Sequence, residues 1–320
     1  MRYAEKLAEL LVQRKDITSF VRICSSFEKL KTLPEKNSKK ILLIGEEFSY
    51  DERRQAEADV RIVLTEGHCR DLGKEEMELK KYQGGDKIAA EILGALMESG
   101  GKLRCAESGR ARILGVYSPI HRIGKTTFCI KLGKALAEKK NVLYLNLETY
   151  AGIGGYFQEE EVQNLSHLLY YVKQDEKDIS VRISSIVRQM EKLDYIPPMK
   201  VWTDLQEIQI GEWKHVLQCL AEQSIYHEII LDIGNSVKDL FQVLKLCDRL
   251  LVPDEKDAYG RAKMKQYHEI LQTAGYQELE MRSVYIDMKQ PMRQAVKEAL
   301  KELDRLAGRE CGNGSGRTAS

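Results

Sequence analysis

The chain has 320 residues, 43% of them hydrophobic and 31% charged, and a net charge of +1. Such values fit a soluble globular protein of about two domains, and with no basic block nothing demands a nucleic-acid partner. No run of eighteen apolar residues occurs and Met1 opens no signal-peptide pattern, so the expectation is a cytoplasmic protein. Seven cysteines are scattered without a Cys-x-x-Cys pair, and six histidines show no metal-ligand spacing. Cys129 and Cys247, inside apolar runs, read as small core residues.

In chain order, apolar positions at Ala4, Leu7, Ala8, Leu11 and Val12 form one stripe of a helix. A strand-like run at Phe20–Cys24 and a short helix at Phe27–Leu33 follow. Lys40–Glu46 (KILLIGE) and Val60–Thr65 (VRIVLT) are continuous apolar strands of the kind buried in a parallel sheet, and Ile88–Met97 is a closing helix. Strands alternating with helices predict an α/β unit over residues 1–100. A polar, glycine-bearing stretch over 101–110 reads as a linker.

The second domain is expected at 111–308. Ile113–Tyr117 is an apolar strand, Gly124-Lys125-Thr126-Thr127 opens a helix, and Val142–Leu147 is a second strand ending at Glu148. This strand, loop, helix and strand form a βαβ unit whose ligand site lies at the carboxyl end of the first strand. Backbone N–H groups there face phosphate oxygens, with the helix dipole adding positive charge. Lys125 would reach the β- and γ-phosphates, and the Thr126 hydroxyl would sit on Mg²⁺. The P-loop spacing is incomplete, since its first glycine falls at Pro119, and an ordinary strand-to-helix turn is the competing reading. Downstream, Glu228–Asn235 (EIILDIGN) carries Asp232 at a strand end, where its carboxylate would hold a water on Mg²⁺.

Between these elements lie a glycine-containing loop at Ala151–Tyr156, an acidic patch at Glu159–Glu161, and helices at Leu165–Val172 and Val181–Leu193. Asp194–Pro198 reads as a short strand, and Glu212–Glu222 as an amphipathic helix with Trp213 in the core. A helix at Val237–Leu246, a strand at Arg249–Val252, a helix at Ala262–Leu271 and a strand at Val284–Ile286 complete the sheet. Met292–Leu306 is the last helix, and 309–320 reads as a disordered Gly/Ser tail. That helix has an apolar face at Met292, Ala295, Val296, Ala299, Leu300, Leu303 and Leu306. Its polar face mixes both charge signs, so docking on the protein's own core is favoured over a membrane surface.

Two resemblances follow from these residues. The first half resembles a response-regulator receiver, with Thr65 and Lys81 at the matching strand ends but Gly45 at the phosphoacceptor position. That likeness implies a pseudo-receiver acting as a binding module, beside the alternative that Thr65 and Lys81 are ordinary strand-end residues. The second half resembles the MinD/ParA class of P-loop ATPases with a mostly parallel sheet, and the whole order is similar to the TadZ/CpaE family of Flp-type (tight adherence) pilus localisation factors. The family's loop is Lys-Gly-Gly-x-Gly-Lys-Thr. Here the signature lysine falls at Ile120, its two glycines at His121 and Arg122, and its switch aspartates at Asn146 and Glu148.

The resemblance implies ATP or ADP bound by Arg122, Ile123, Gly124, Lys125, Thr126 and Thr127, with Mg²⁺ on Thr126 and Asp232. It implies a degenerate catalytic set of Lys125, Asp232 and Asn146, in which Asn146 replaces a water-orienting aspartate. It further implies a homodimer, partners among pilus or secretion ATPases and polar assembly proteins, and a place at the cell pole or the inner face of the membrane. Three functions stand: a nucleotide-gated assembly factor with slow or absent hydrolysis, an ATPase cycling between monomer and dimer, and a scaffold that binds no nucleotide. If Asn146 and Ile120 are why turnover is slow, Asn146→Asp with Ile120→Lys should raise phosphate release.

Overall fold

The structure is a computed structural model and describes residues 2–13, 21–26, 29–30, 40–98, 109–157, 163–174 and 179–312. It is α/β, and the chain divides into two compact units. The first comprises Met1–Cys105 together with Lys177–Ser185, and the second the rest.

In the first unit α1 (Arg2–Gln13) precedes β1 (Ile41–Gly45), α2 (Tyr50–Arg54), β2 (Val60–Thr65), β3 (Glu76–Lys80) and α3 (Gly85–Glu98). The three strands form a parallel sheet in the order β1-β2-β3. Leu7 and Leu11 of α1 and Ile88, Ala89, Ile92 and Ala95 of α3 cluster with Val60, Ile62, Leu64 and Leu79. Ser49 starts α2 with a reciprocal cap, its side chain accepting from the Glu52 N–H while Glu52 accepts from the Ser49 N–H. That turn delivers Arg53, fully buried, whose guanidinium donates twice to Glu76 on β3 (2.9 and 2.8 Å) and also to the Phe48 carbonyl. β3 was not expected from the sequence. Residues 21–24 have no regular structure, against the strand expected at Phe20–Cys24. The helix expected at Phe27–Leu33 and the linker lie mostly outside the described residues. Residues 177–185 carry most of α6 (Ile179–Ile186).

The second unit is built on a seven-stranded sheet in the order β10-β9-β4-β8-β5-β7-β6, parallel except for the β6–β7 pair. Its elements are β4 (Arg112–Val116), α4 (Lys125–Ala137), β5 (Val142–Leu147), α5 (Leu165–Lys173), β6 (Arg188–Met190), β7 (Leu193–Ile196), α7 (Thr203–Glu207), α8 (Ile210–Glu222), β8 (Glu228–Ile233), α9 (Leu240–Lys245), β9 (Arg249–Asp254), α10 (Ala258–Thr273), α11 (Gln277–Arg282), β10 (Ser283–Asp287) and α12 (Met292–Gly312). β4, β5 and β8 are buried almost throughout, which is why their sequences are continuous apolar runs rather than alternating ones. β8 lies between β4 and β5, so the β4–α4–β5 crossover passes over it, and the carboxyl ends of all three strands meet at one edge.

Two helix expectations are corrected. The helix expected at Val181–Leu193 ends at Ile186, because the chain turns through Glu191 in a left-handed conformation (φ 58°) to pair β6 with β7. The last helix continues past Leu306 to Gly312, into the expected tail, with no proline to stop it; residues 313–320 lie outside the description. Ala295, Val296, Ala299 and Leu303 of α12 join the core cluster that contains Phe128 and Leu132 of α4, so this helix docks on its own unit. No described helix is long and apolar enough to cross a membrane.

Candidate nucleotide site at the carboxyl ends of β4, β5 and β8

The loop between β4 and α4 is tied at its base. Ser118, buried, donates to the Pro253 carbonyl at 2.7 Å and accepts from the Ile120 N–H at 3.1 Å. Ile120 is itself buried, at 8% exposure. Beyond it the backbone bends through two left-handed residues, Arg122 (φ 60°) and Gly124 (φ 83°). Glycine takes that conformation freely, whereas arginine pays about 1 kcal/mol for it. Gly124 precedes α4 with no side-chain cap, and the first helical bond runs from Phe128 to Gly124. The N–H groups of Lys125, Thr126 and Thr127 therefore have no partner inside the helix, and they carry the positive end of its dipole.

Lys125 sits at this mouth with its side chain 11% exposed. Its ammonium pairs with Glu148 at 2.6 Å and with Asp232. Burial alone would lower its pKa, but the Asp232 and Glu148 carboxylates outweigh that and raise it, so the ammonium stays charged. Asp232 is fully buried at the end of β8, in register with Asn146 on β5 and Val116 on β4. Its second oxygen accepts from the Tyr144 hydroxyl at 3.0 Å and the Asn146 amide at 3.3 Å. Burial, and then the Asp232 charge, push the Tyr144 phenol well above its ordinary range and do the same to the Cys129 thiol.

Asn146 does not occupy the place expected of a water-orienting group. It is 2% exposed, its amide donates to Tyr144 and Asp232, and its oxygen accepts the Glu148 N–H at 2.9 Å. The reason is geometric: period-2 alternation puts Tyr144 and Asn146 on one face of β5, beneath Asp232, whereas Glu148 lies past the strand end. Glu148, 28% exposed, is the carboxylate that reaches both Lys125 and solvent. Asp232, by contrast, is sealed by Lys125, Tyr144 and Asn146.

Around the rim, the Thr127 hydroxyl meets the Tyr156 hydroxyl at 2.7 Å, Thr149 is hydrogen-bonded to Ser236, and Asn235 lies 3.0 Å from His121. Thr126 and Ile123 are half-buried, and Arg122 is exposed at the loop tip. The structure thus groups Arg122, Ile123, Gly124, Lys125, Thr126 and Thr127 at one helix mouth, with Asp232 beneath. Sequence reading missed Tyr144, Tyr156 and Ser118. Tyr144 was detectable as a polar-tipped residue two positions before Asn146 on a strand that is otherwise apolar up to that point.

The donors present fit a phosphate: uncapped N–H groups, a left-handed loop and a charged lysine converge, and among the described residues the anions on Lys125 are Glu148 and Asp232. A divalent ion fits less directly. The Thr126 hydroxyl and Glu148 have access to solvent, whereas Asp232 has an oxygen to offer only once Lys125 has moved. The described residues hold no cluster of three or more His, Cys, Asp or Glu suited to a metal.

No protein-family model matches the sequence, and no curated protein matches it. Among solved structures, the chain is similar to a ParA family ATPase from Chlorobium tepidum (19% identity, 55% of this chain and 73% of that one, TM-score 0.45). It is similar to a putative plasmid partition protein from Borrelia burgdorferi bound to AMPPNP (21% identity, 60% and 83%, TM-score 0.44). It is also similar to the MinD cell division protein of Aquifex aeolicus (16% identity, 55% and 68%, TM-score 0.42).

Proposed function

We propose that the chain binds ATP or ADP with Mg²⁺ at the loop from Arg122 to Thr127 and uses the nucleotide to gate assembly and localisation, with slow or absent hydrolysis. The observation that carries this is Lys125: a charged ammonium held by two carboxylates at the mouth of an uncapped helix. A phosphate replaces the carboxylates as its partner and accepts from the free N–H groups of α4. Mg²⁺, when bound, neutralises phosphate charge, and Thr126 with Asp232 or Glu148 are the residues that would hold it. The TadZ/CpaE-like reading of the sequence extends this proposal to a homodimer at the cell pole or inner membrane face, serving pilus or secretion machinery. The degenerate receiver-like reading of the first unit is part of the same proposal.

A second reading, a turning-over ATPase, is favoured by Glu148, whose carboxylate contacts Lys125 from the open side. One experiment tests both. Thermal melting with and without Mg²⁺-ATP should show a rise for the wild type and none for Lys125→Ala, because binding to the folded state alone raises stability by mass action. Equal shifts for both proteins refute the nucleotide site. Phosphate release then separates the readings: a background rate supports the gate, and a rate that Glu148→Gln abolishes supports the ATPase.

A further inference from the structure

Asp232 is fully buried, yet its two oxygens face partners of different kinds. Oδ1 meets the Lys125 ammonium, which is also shared with Glu148. Oδ2 accepts from the Tyr144 hydroxyl and from the Asn146 amide. Asn146 also donates to the Tyr144 oxygen at 2.9 Å and accepts the Glu148 N–H, so Tyr144, Asn146 and Asp232 fix one another. Tyr144 and Asn146 are too deeply buried to touch a ligand themselves.

We propose that Tyr144 and Asn146 are positioning residues that hold Asp232 by Oδ2, so that Lys125 can leave Oδ1 for a phosphate without stranding a buried carboxylate. This rests on the nucleotide reading of the site. A buried carboxylate stripped of all donors is costly, so without these two groups the Lys125–Asp232 pair would be a permanent fastening. With them it is a releasable tether: Asp232 exchanges a cation plus two neutral donors for two neutral donors alone. The aromatic stack of Phe157 on Tyr144 (6.1 Å, nearly parallel) keeps the hydroxyl aimed at Oδ2 through that exchange.

A double-mutant cycle on the full chain tests the tether without any ligand. Tyr144→Phe removes only the hydroxyl, and Lys125→Met removes the ammonium but keeps an apolar stem. In urea at one pH, the denaturation midpoint of the double variant should fall further than the two single shifts added together, since Asp232 then keeps only part of its donor set. A double variant that does not fold while both singles do is the extreme of that result. Additive shifts, as a packing role for Tyr144 would give, overturn the proposal.

A second arm reads binding. Calorimetry with Mg²⁺-ADP should show Tyr144→Phe weakened roughly tenfold or more, the worth of a hydrogen bond to a charged group. Leu143→Val, a mild destabilisation from the opposite face of β5, should leave the affinity unchanged. Equal affinity for Tyr144→Phe and the wild type overturns the tether. A wild type that binds no nucleotide removes the nucleotide reading, and the urea cycle then decides the tether by itself.

Discussion

Asn146→Asp is the substitution on which sequence and structure disagree most sharply. By the resemblance drawn from the sequence, it would supply the aspartate that the resembling family carries at this position. In the structure it replaces an amide donor, 3.3 Å from Asp232 Oδ2, with a carboxylate that cannot donate when ionised. Two carboxylates at that distance repel by about 5 kcal/mol at an effective dielectric of 20. The new side chain can escape by taking a proton, which at pH 7.5 costs about 5 kcal/mol for a group of ordinary pKa near 3.9, so the penalty is capped near that value. Lys125 offsets part of it, and a loss of about 2–5 kcal/mol is expected after that compensation.

The sign with pH follows. Burial and Asp232 raise the pKa of the introduced carboxyl in the folded state, so its protonated form is favoured there. Stability is retained near pH 4 and lost as pH rises through the raised value, and at pH 5.5 the cap is only about 2 kcal/mol. Urea denaturation of wild type and Asn146→Asp at pH 5.5 and 7.5, with Asn146→Leu as the uncharged comparison, measures this. The gap between Asn146→Asp and wild type should widen at the higher pH, and that for Asn146→Leu should not. An Asn146→Asp protein as stable as wild type at pH 7.5 and faster in phosphate release refutes the reasoning.

Two further substitutions probe the frame around the site and the first unit. Gly234→Ala puts a methyl 2.9 Å from the Leu147 carbonyl and 3.0 Å from Glu148 Cα, both backbone, so the end of β5 must shift. A cost of about 1–3 kcal/mol and weaker nucleotide binding are expected, read by melting and calorimetry; an unchanged melting point counts against it. Arg53→Met leaves Glu76, whose carboxyl the guanidinium holds below its usual pKa range, buried without its cation. The loss should be about 3–5 kcal/mol, seen as faster hydrogen exchange in β1–β3 but not in β4 or β8, and uniform protection would refute it.

How far the sequence could be read depended on where each element sits in its sheet. β4, β5, β8 and β9 are interior strands covered on both faces, so each is a plain apolar run, and the expected bounds fall within a residue or two of those observed. β3 has only Met77 and Leu79 between charges, because Glu76 is the buried partner of Arg53; a buried carboxylate cannot be told from a solvated one without its cation. β6 is three residues at a sheet edge and shows no apolar face, so the helix pattern before it was carried across the turn. At the site, Gly124-Lys125-Thr126 is local and legible. The grouping of Tyr144 and Asn146 under Asp232 is set by the β5–β8 register across 86 or more residues, which no spacing rule contains.

The same distinction bears on what the altered loop letters mean. Arg122 stands where the resembling family has glycine, yet its φ of 60° shows that the backbone still follows the glycine-shaped path. Ile120 stands where that family has its reaching lysine, but here it is buried, with its N–H on Ser118, and it faces the interior. An ammonium introduced there would start from a buried position rather than from solvent and would first have to be pulled out of it. Placing the resembling family's residues at 120 and 146 would therefore put a cation into a buried position without a partner there, and a second carboxylate beside Asp232, with only Lys125 to offset it. The charged side chains at the helix mouth that are not fully buried are Lys125, Glu148 and the exposed Arg122, and two of these three stand where the resembling family has other residues.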